Sequence, residues 1–259
     1  IYNGERNLVL DKIREKGELK MADMRYFTIG EFAALLQSRD MLAECELYGK
    51  EETVIRFLTY DSREVAADTM FICKGAAFKP VYLRNSVEQG AVCYVSEKKY
   101  DLESEIPYLV VKDIREAMPV LADFFYHSPW KKLKVTGVGG TKGKSTSVYY
   151  MKAVVDDYLA AQNKKDSAVI SSIDIYDGQS KVESHITTPE AVELQRHFCN
   201  ALDCGMEFVQ MEISSQALKY HRVDGIIFDV AVFLNISEDH ISPIEHADFE
   251  DYFSSKMRM

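Results

Sequence analysis

The chain has 259 residues, with 41 acidic side chains against 31 Lys and Arg and a formal net charge of −10. That surplus argues against the basic footprint of a non-specific nucleic-acid binder, while 47% hydrophobic and 28% charged residues are ordinary for a soluble globular protein. No apolar run approaches ~18 residues, so no membrane insertion is expected. The start, Ile1 to Arg6, has neither a signal peptide's pattern nor an initiator Met. Cys45, Cys73, Cys93, Cys199 and Cys204 form no C-x-x-C pair and read as buried thiols of a reducing, cytoplasmic compartment.

Residues 1–27 are a charged extension in which 11–20 has the composition of a short helix. Thr28-Ile-Gly-Glu31 has capping-box spacing and predicts a helix over 29–38. Residues 53–59 alternate as a half-buried strand does. Asp61-Ser-Arg63 follows, then a short buried strand, Met70 to Cys73, and a turn at Lys74-Gly75. A helix over 81–89 ends at Gly90, and the apolar run Ala91 to Val95 reads as a central strand. Another strand is predicted at 107–111 and a helix at 114–127, with Pro119 expected to delay or kink it. These elements predict a compact α/β domain over 28–129, bounded by Ser128-Pro-Trp130.

The second domain, 130–259, opens with a strand at 132–136, a glycine-rich turn at 137–146 and a helix at 147–161. Strands follow at 168–170, 207–213 and 228–234, with a loop or hairpin at 173–184. A helix is predicted from Thr188 as cap and Pro189 as first residue to about 203. Further helices are expected at 215–220 and 249–259. Alternating strands and helices predict an α/β fold with a mainly parallel sheet.

The turn Gly137-Val-Gly-Gly-Thr-Lys-Gly-Lys-Ser-Thr146 is the chemical focus. A strand, a glycine-rich turn and a helix N-terminus make a phosphate cradle, with Lys144 for the β- and γ-phosphates and the Ser145 hydroxyl for Mg²⁺. The match is partial, because Val138 stands where the strict P-loop pattern has glycine. Ligands of open α/β sheets sit at the carboxyl ends of strands, and Glu212, Asn235 and His240 fall at such ends. Ser145 and Glu212 are the oxygen pair suited to Mg²⁺.

With these motifs assembled, the sequence resembles the Mur ligases, closest to members that add the third residue of the peptidoglycan stem peptide. The resemblance runs from about Thr59 to Lys256. It is carried by Asp61-Ser-Arg63, Phe71 to Gly75, Gln89 to Ala91, Gly140 to Thr146 and Thr187 to Glu190. Glu212 to Leu218, Arg222 to Gly225, Phe228 to Phe233, Asn235, Asp239-His240 and Asp251 to Lys256 complete it.

The resemblance implies ATP- and Mg²⁺-dependent amide bond formation through an acyl phosphate, in peptidoglycan biosynthesis. Substrates would be a UDP-MurNAc-dipeptide-like acceptor and an incoming amino acid. It implies ATP contacts at Gly140, Thr141, Lys142, Gly143, Lys144, Ser145, Thr146 and Asn235. Metal positions would be Ser145, Glu212, His240 and Lys256, the last as a lysine carbamylated by CO₂. Lys144, Glu212, His240 and Lys256 would then be the catalytic set. Carbamylation needs a neutral amine, hence a desolvated lysine. Acceptor contacts would be Ser62, Arg63, Thr187, Thr188, Ser214 and Arg222, whose guanidinium fork suits an anion.

Four departures bear on the acceptor. Lys142 stands where the family usually has Asn, and Gln216 where His is usual. Asp239 to His246 and Ser184 to Thr188 also differ from the usual motifs. The family's third, amino-acid-selecting domain would follow Met259, so residues 1–259 alone are expected not to turn over. Two other readings are a ligase of the same ATP fold, such as a folylpolyglutamate or poly-γ-glutamate synthetase, and a non-catalytic nucleotide-binding module. Asp61-Ser-Arg63 favours a uridine nucleotide over a folate.

Overall fold

A computed structural model of the chain describes residues 26–75, 78–239, 241–242 and 245–259. The helix expected at 11–20 lies outside the described residues. The chain forms two compact units divided between Ala117 and Met118. Among the described residues, no helix is long and apolar enough to cross a membrane.

The first unit begins with β1 (Phe27–Thr28) and α1 (Ile29–Ser38). The capping box forms: Glu31 N–H donates to Thr28 Oγ1 and Thr28 N–H to the Glu31 carboxylate. β2 (Leu42–Glu46), β3 (Val54–Ile55), β4 (Phe57–Thr59) and β5 (Thr69–Ile72) follow. Then come α2 (Pro80–Glu88), β6 (Ala91–Ser96), β7 (Tyr108–Val111) and α3 (Ile114–Phe125), the helix within which the two units divide. The five-stranded sheet has the order β2-β7-β6-β5-β4, parallel except where β2 joins β7. Phe71, Leu83, Tyr94 and Tyr108 share its core.

Four details depart from the sequence expectations in this stretch. The single strand over 53–59 is two, because it serves two sheets. β3 pairs antiparallel with β1, β4 pairs parallel with β5, and Arg56 N–H between them turns to the Asp68 carbonyl. Strand β2 was not expected; its Leu-Ala-Glu-Cys-Glu sequence is polar because it is a largely exposed edge strand. Cys45 lies on it and is exposed, not buried, whereas Cys73, Cys93 and Cys199 are buried. Pro119 does not delay α3, which already begins at Ile114.

In the second unit a 3₁₀ turn (Pro129–Lys132) precedes β8 (Lys134–Gly139) and α4 (Lys144–Ala160). β9 (Ala168–Ile170) and the hairpin β10 (Asp174–Tyr176) and β11 (Lys181–Glu183) come next. Then follow α5 (Ala191–Asp203), β12 (Phe208–Glu212), α6 (Ser215–Lys219), β13 (Val230–Phe233) and α7 (Phe249–Lys256). The six-stranded sheet runs β11-β10-β9-β12-β8-β13, with β9, β12, β8 and β13 parallel.

Strand alternation divides the side chains between two layers. Val135, Val209 and Met211 pack with Leu194 and Phe198 of α5. Val138 and Val169 meet Val148 of α4 on the opposite face. Glu212, one residue past Met211, therefore faces the α4 side of the sheet.

The glycine-rich stretch is partitioned differently from the sequence expectation. Trp130 and Leu133 close the 3₁₀ turn, so the strand starts at Lys134 and runs through Gly137 and Gly139. Gly137 is a packing residue: a Cβ there would stand 2.4 Å from Ile213 Cδ1. Helix α4 starts at Lys144 rather than 147, leaving a turn of only 140–143. Helix α5 begins at Ala191, with Glu190 in the cap position and no side-chain cap bond. Thr188 does not cap it, because its hydroxyl is engaged elsewhere.

Candidate functional site

The turn between β8 and α4 is built for an anion. Gly140 has a φ of +145° and Gly143 one of +85°, conformations that glycine alone adopts without strain. They aim the chain so that α4 begins at the loop with its first N–H groups and positive dipole end. Asn235, just past β13, braces the turn. Its carbonyl accepts Thr141 N–H at 3.0 Å, its Oδ1 accepts Lys142 N–H at 3.1 Å, and its Nδ2 donates to Lys142 O at 3.1 Å. Lys142 and Thr146 are exposed, while Thr141 is buried.

Two ammonium groups converge here. Lys144 Nζ donates to the carbonyls of Gly140 at 3.0 Å and Thr141 at 3.1 Å. Lys256 Nζ, from the end of α7, donates to the same Gly140 carbonyl at 2.8 Å. Burial lowers the Lys144 pKa against the opposing pull of Glu212 and Asp239. Lys256 is only 3% exposed. Burial first, and Lys144 second, push its pKa down to about 8, opposed by Asp239.

The carboxylate of Glu212, 1% exposed, stands at the tip of β12. Its Oε1 accepts Ser172 N–H at 2.9 Å and the Ser172 hydroxyl at 3.1 Å. Ser145 Oγ lies 3.1 Å from Ser172 Oγ, so Ser145 and Glu212 meet through Ser172. Ser172 was not anticipated: a lone serine after β9 carries no motif. Among the described residues no group of three or more His, Cys, Asp or Glu gathers for a metal. His240 lies outside the described residues. A hydroxyl and a buried carboxylate nonetheless fit Mg²⁺, which keeps waters and phosphate oxygens as its other ligands.

A second cluster adjoins Glu212. Thr188 Oγ1 donates to the Glu212 carbonyl at 3.0 Å and accepts Ser214 N–H at 3.0 Å. Ser214 caps α6 by accepting Ala217 N–H at 3.1 Å. Arg222 donates from Nη1 to Thr188 O at 3.2 Å and pairs through Nη2 with Glu190 at 2.9 Å. Its buried Nε has no partner among the described residues. Thr187 is half-buried beside this group.

In the first unit Arg63 is exposed and held by Asp61, Nε to Oδ1 at 2.8 Å and Nη2 to Oδ2 at 2.5 Å. Ser62 between them is half-buried. The structure thus brings together Gly140 to Ser145, Asn235, Glu212 and Lys256, and beside them Thr188, Ser214 and Arg222.

Residues 138–259 match the family described as the Mur ligase middle domain. The chain is 46% identical over 203 residues to the UDP-N-acetylmuramoyl-L-alanyl-D-glutamate–L-lysine ligase of Enterococcus faecalis, covering 78% of this chain and 39% of that protein. It is 46% identical over 203 residues to the UDP-N-acetylmuramyl-tripeptide synthetase of Bifidobacterium longum, covering 78% of this chain and 38% of that one. The chain therefore spans about two fifths of the length of these curated relatives. A solved UDP-N-acetylmuramoyl-L-alanyl-D-glutamate–2,6-diaminopimelate ligase shares the fold at a TM-score of 0.65 and 19% identity, over 90% of this chain and 45% of that chain.

Proposed function

The chain belongs to the Mur ligase family through its middle domain, and on that premise we propose that it is part of an ATP-dependent peptide ligase. The reaction would add an amino acid to a UDP-MurNAc-dipeptide-like acceptor in the cytoplasm, for peptidoglycan synthesis. The observation that carries this reading is the convergence of Lys144 and Lys256 on the Gly140 carbonyl. Two desolvated cations sharing one neutral acceptor leave positive potential that a polyphosphate neutralises.

Mg·ATP, when bound, supplies the phosphoryl group that activates the acceptor carboxylate. The chain's own residues hold and orient. The turn at Gly140 to Gly143 and the first turn of α4 offer N–H donors to phosphate oxygens. Ser145 and Glu212 offer a hydroxyl and a carboxylate to the metal, with Ser172 fixing both. His240 would add to the metal set, and Lys256, an ammonium in this structure, would join it only once CO₂ has converted its neutral amine into a carbamate. Arg222, steadied by Glu190, keeps its Nε for an acceptor anion. Ser62 and Arg63 would take the uridine nucleotide after Arg63 exchanges Asp61 for it.

Titration calorimetry on this chain tests the reading. A non-hydrolysable ATP analogue should bind more tightly with Mg²⁺ than without, and UDP-MurNAc-dipeptide should bind independently. Binding of neither ligand would overturn the proposal. Binding of the nucleotide alone would move the acceptor to another class.

A further inference from the structure

Tyr252 has no role in the site assembled above, yet it is fully buried on α7 and touches the cradle. Its hydroxyl lies 2.8 Å from Thr141 Oγ1. That Thr141 oxygen also accepts Ser237 N–H at 3.0 Å and lies 3.3 Å from the Ser237 carbonyl. The hydrogen-bond accounting is complete when Tyr252 donates: Thr141 then accepts two bonds and gives its one proton to Ser237 O. The Lys256 ammonium stands 4.8 Å over the Tyr252 ring, and the His246 ring meets that ring edge-on at 5.2 Å. His246 is itself buried and tied to Ser215 Oγ at 2.9 Å, so the tyrosine is wedged from behind.

We propose that Tyr252 is a positioning residue of the nucleotide site. Its hydroxyl fixes Thr141, and with it the carbonyl on which Lys144 rests. Its ring face seats the Lys256 ammonium beside the Gly140 carbonyl. One aromatic side chain thereby sets the relative placement of both cations. The inference rests on the nucleotide-binding reading above and adds to it the residue that organises the cradle from α7.

The test is a double-mutant cycle on this chain, using a non-hydrolysable ATP analogue with Mg²⁺ in titration calorimetry and a thermal melt of each protein. Tyr252→Phe keeps the ring and removes the hydroxyl. It should weaken the analogue roughly three- to tenfold, the range for one lost hydrogen bond. Thr141→Val should weaken it at least as much, and the double variant should be no weaker than Thr141→Val alone. Binding is read well below each melting point, so a residue that merely stabilises the fold would shift the melt and leave affinity unchanged. Wild-type affinity in Tyr252→Phe, or losses that add in the double variant, would overturn the proposal while leaving the function intact. If the wild-type chain takes no nucleotide, both fall together. Should Tyr252→Phe not fold, Thr141→Ser, which keeps the bonded hydroxyl, is compared with Thr141→Val, which loses it: equal affinities overturn the proposal, and weaker binding by Thr141→Val alone supports it.

Discussion

Gly140→Ala tests the cradle most directly. Its φ of +145° is closed to alanine, and such a backbone conformation costs about 1–3 kcal/mol. The added Cβ would also stand 3.1 Å from Leu234 Cβ and 3.4 Å from Asn235 N and O. The backbone at Asn235 cannot yield freely, because Thr141 and Lys142 N–H groups are bonded to that residue. Crowding therefore adds to strain, for a total of about 2–3 kcal/mol at the upper part of that range. Domains typically hold about 5–15 kcal/mol, so the variant should fold, with a melting point lower by roughly 5–10 °C. Gly205→Ala is the control. It has a φ of +74° but nothing within 4 Å of the added Cβ, so only about 1 kcal/mol of strain applies. Because Gly140 O anchors both lysines, Gly140→Ala should also weaken an ATP analogue more than about tenfold, which Gly205→Ala should not. Calorimetric melts and titrations compare the two. The reasoning fails if Gly140→Ala melts like Gly205→Ala and binds nucleotide as the unaltered chain does.

Other perturbations follow from the same geometry. Lys256, with a folded pKa of about 8 against 10.5, releases its proton before the unfolded chain does, so its contribution makes stability rise with pH between those values; Lys256→Met should flatten that slope in melts across the window while abolishing tight nucleotide binding. The same lowered pKa leaves about half the amine neutral at pH 8, so labelled bicarbonate should give a carbamate carbon resonance that Lys256→Met removes. Asp177, fully buried, resists the upward push of burial through bonds from His197, Asn200 and Ser180, and its pKa is lowered. Its stabilisation is present above the unfolded carboxylate range and lost as pH falls through the folded value; Asp177→Ala should cost about 3 kcal/mol at neutral pH and lose that acid-side slope in denaturant titrations. Glu212→Gln keeps the shape that accepts from Ser172 but drops the charge, so analogue binding should lose its Mg²⁺ dependence in calorimetry while the melt changes little.

The elements most readable from sequence were those whose signal is local. Thr28 and Glu31 announce a capping box because both partners lie within one turn. Gly143-Lys144-Ser145 announces a cradle because turn, cation and hydroxyl are consecutive. Long-range bonds explain the errors. Thr188 looks like a cap beside Pro189, but its hydroxyl reaches the Glu212 carbonyl and Ser214 N–H, so the helix waits until Ala191. Gly137 looks like part of the loop, but what decides its identity is Ile213, from the adjoining strand end. Ser172 has no local pattern at all, and Tyr252 stands inside the stretch Asp251 to Lys256, whose only assigned role is that of Lys256. Their importance comes from Glu212 and Thr141, residues far away in the chain.

Trp130 is the chain's single tryptophan. It is 8% exposed, packs into the core beneath the six-stranded sheet, and donates its indole N–H to Asp123 at 2.7 Å. The chain thus contains one indole among its 15 tyrosines, and it is seated in the unit that carries the cradle. Selective excitation of that indole follows the second unit alone, and the first stays dark. Comparing its emission during denaturation with far-ultraviolet dichroism, which senses both units, would show whether they melt as one cooperative block or in separate steps.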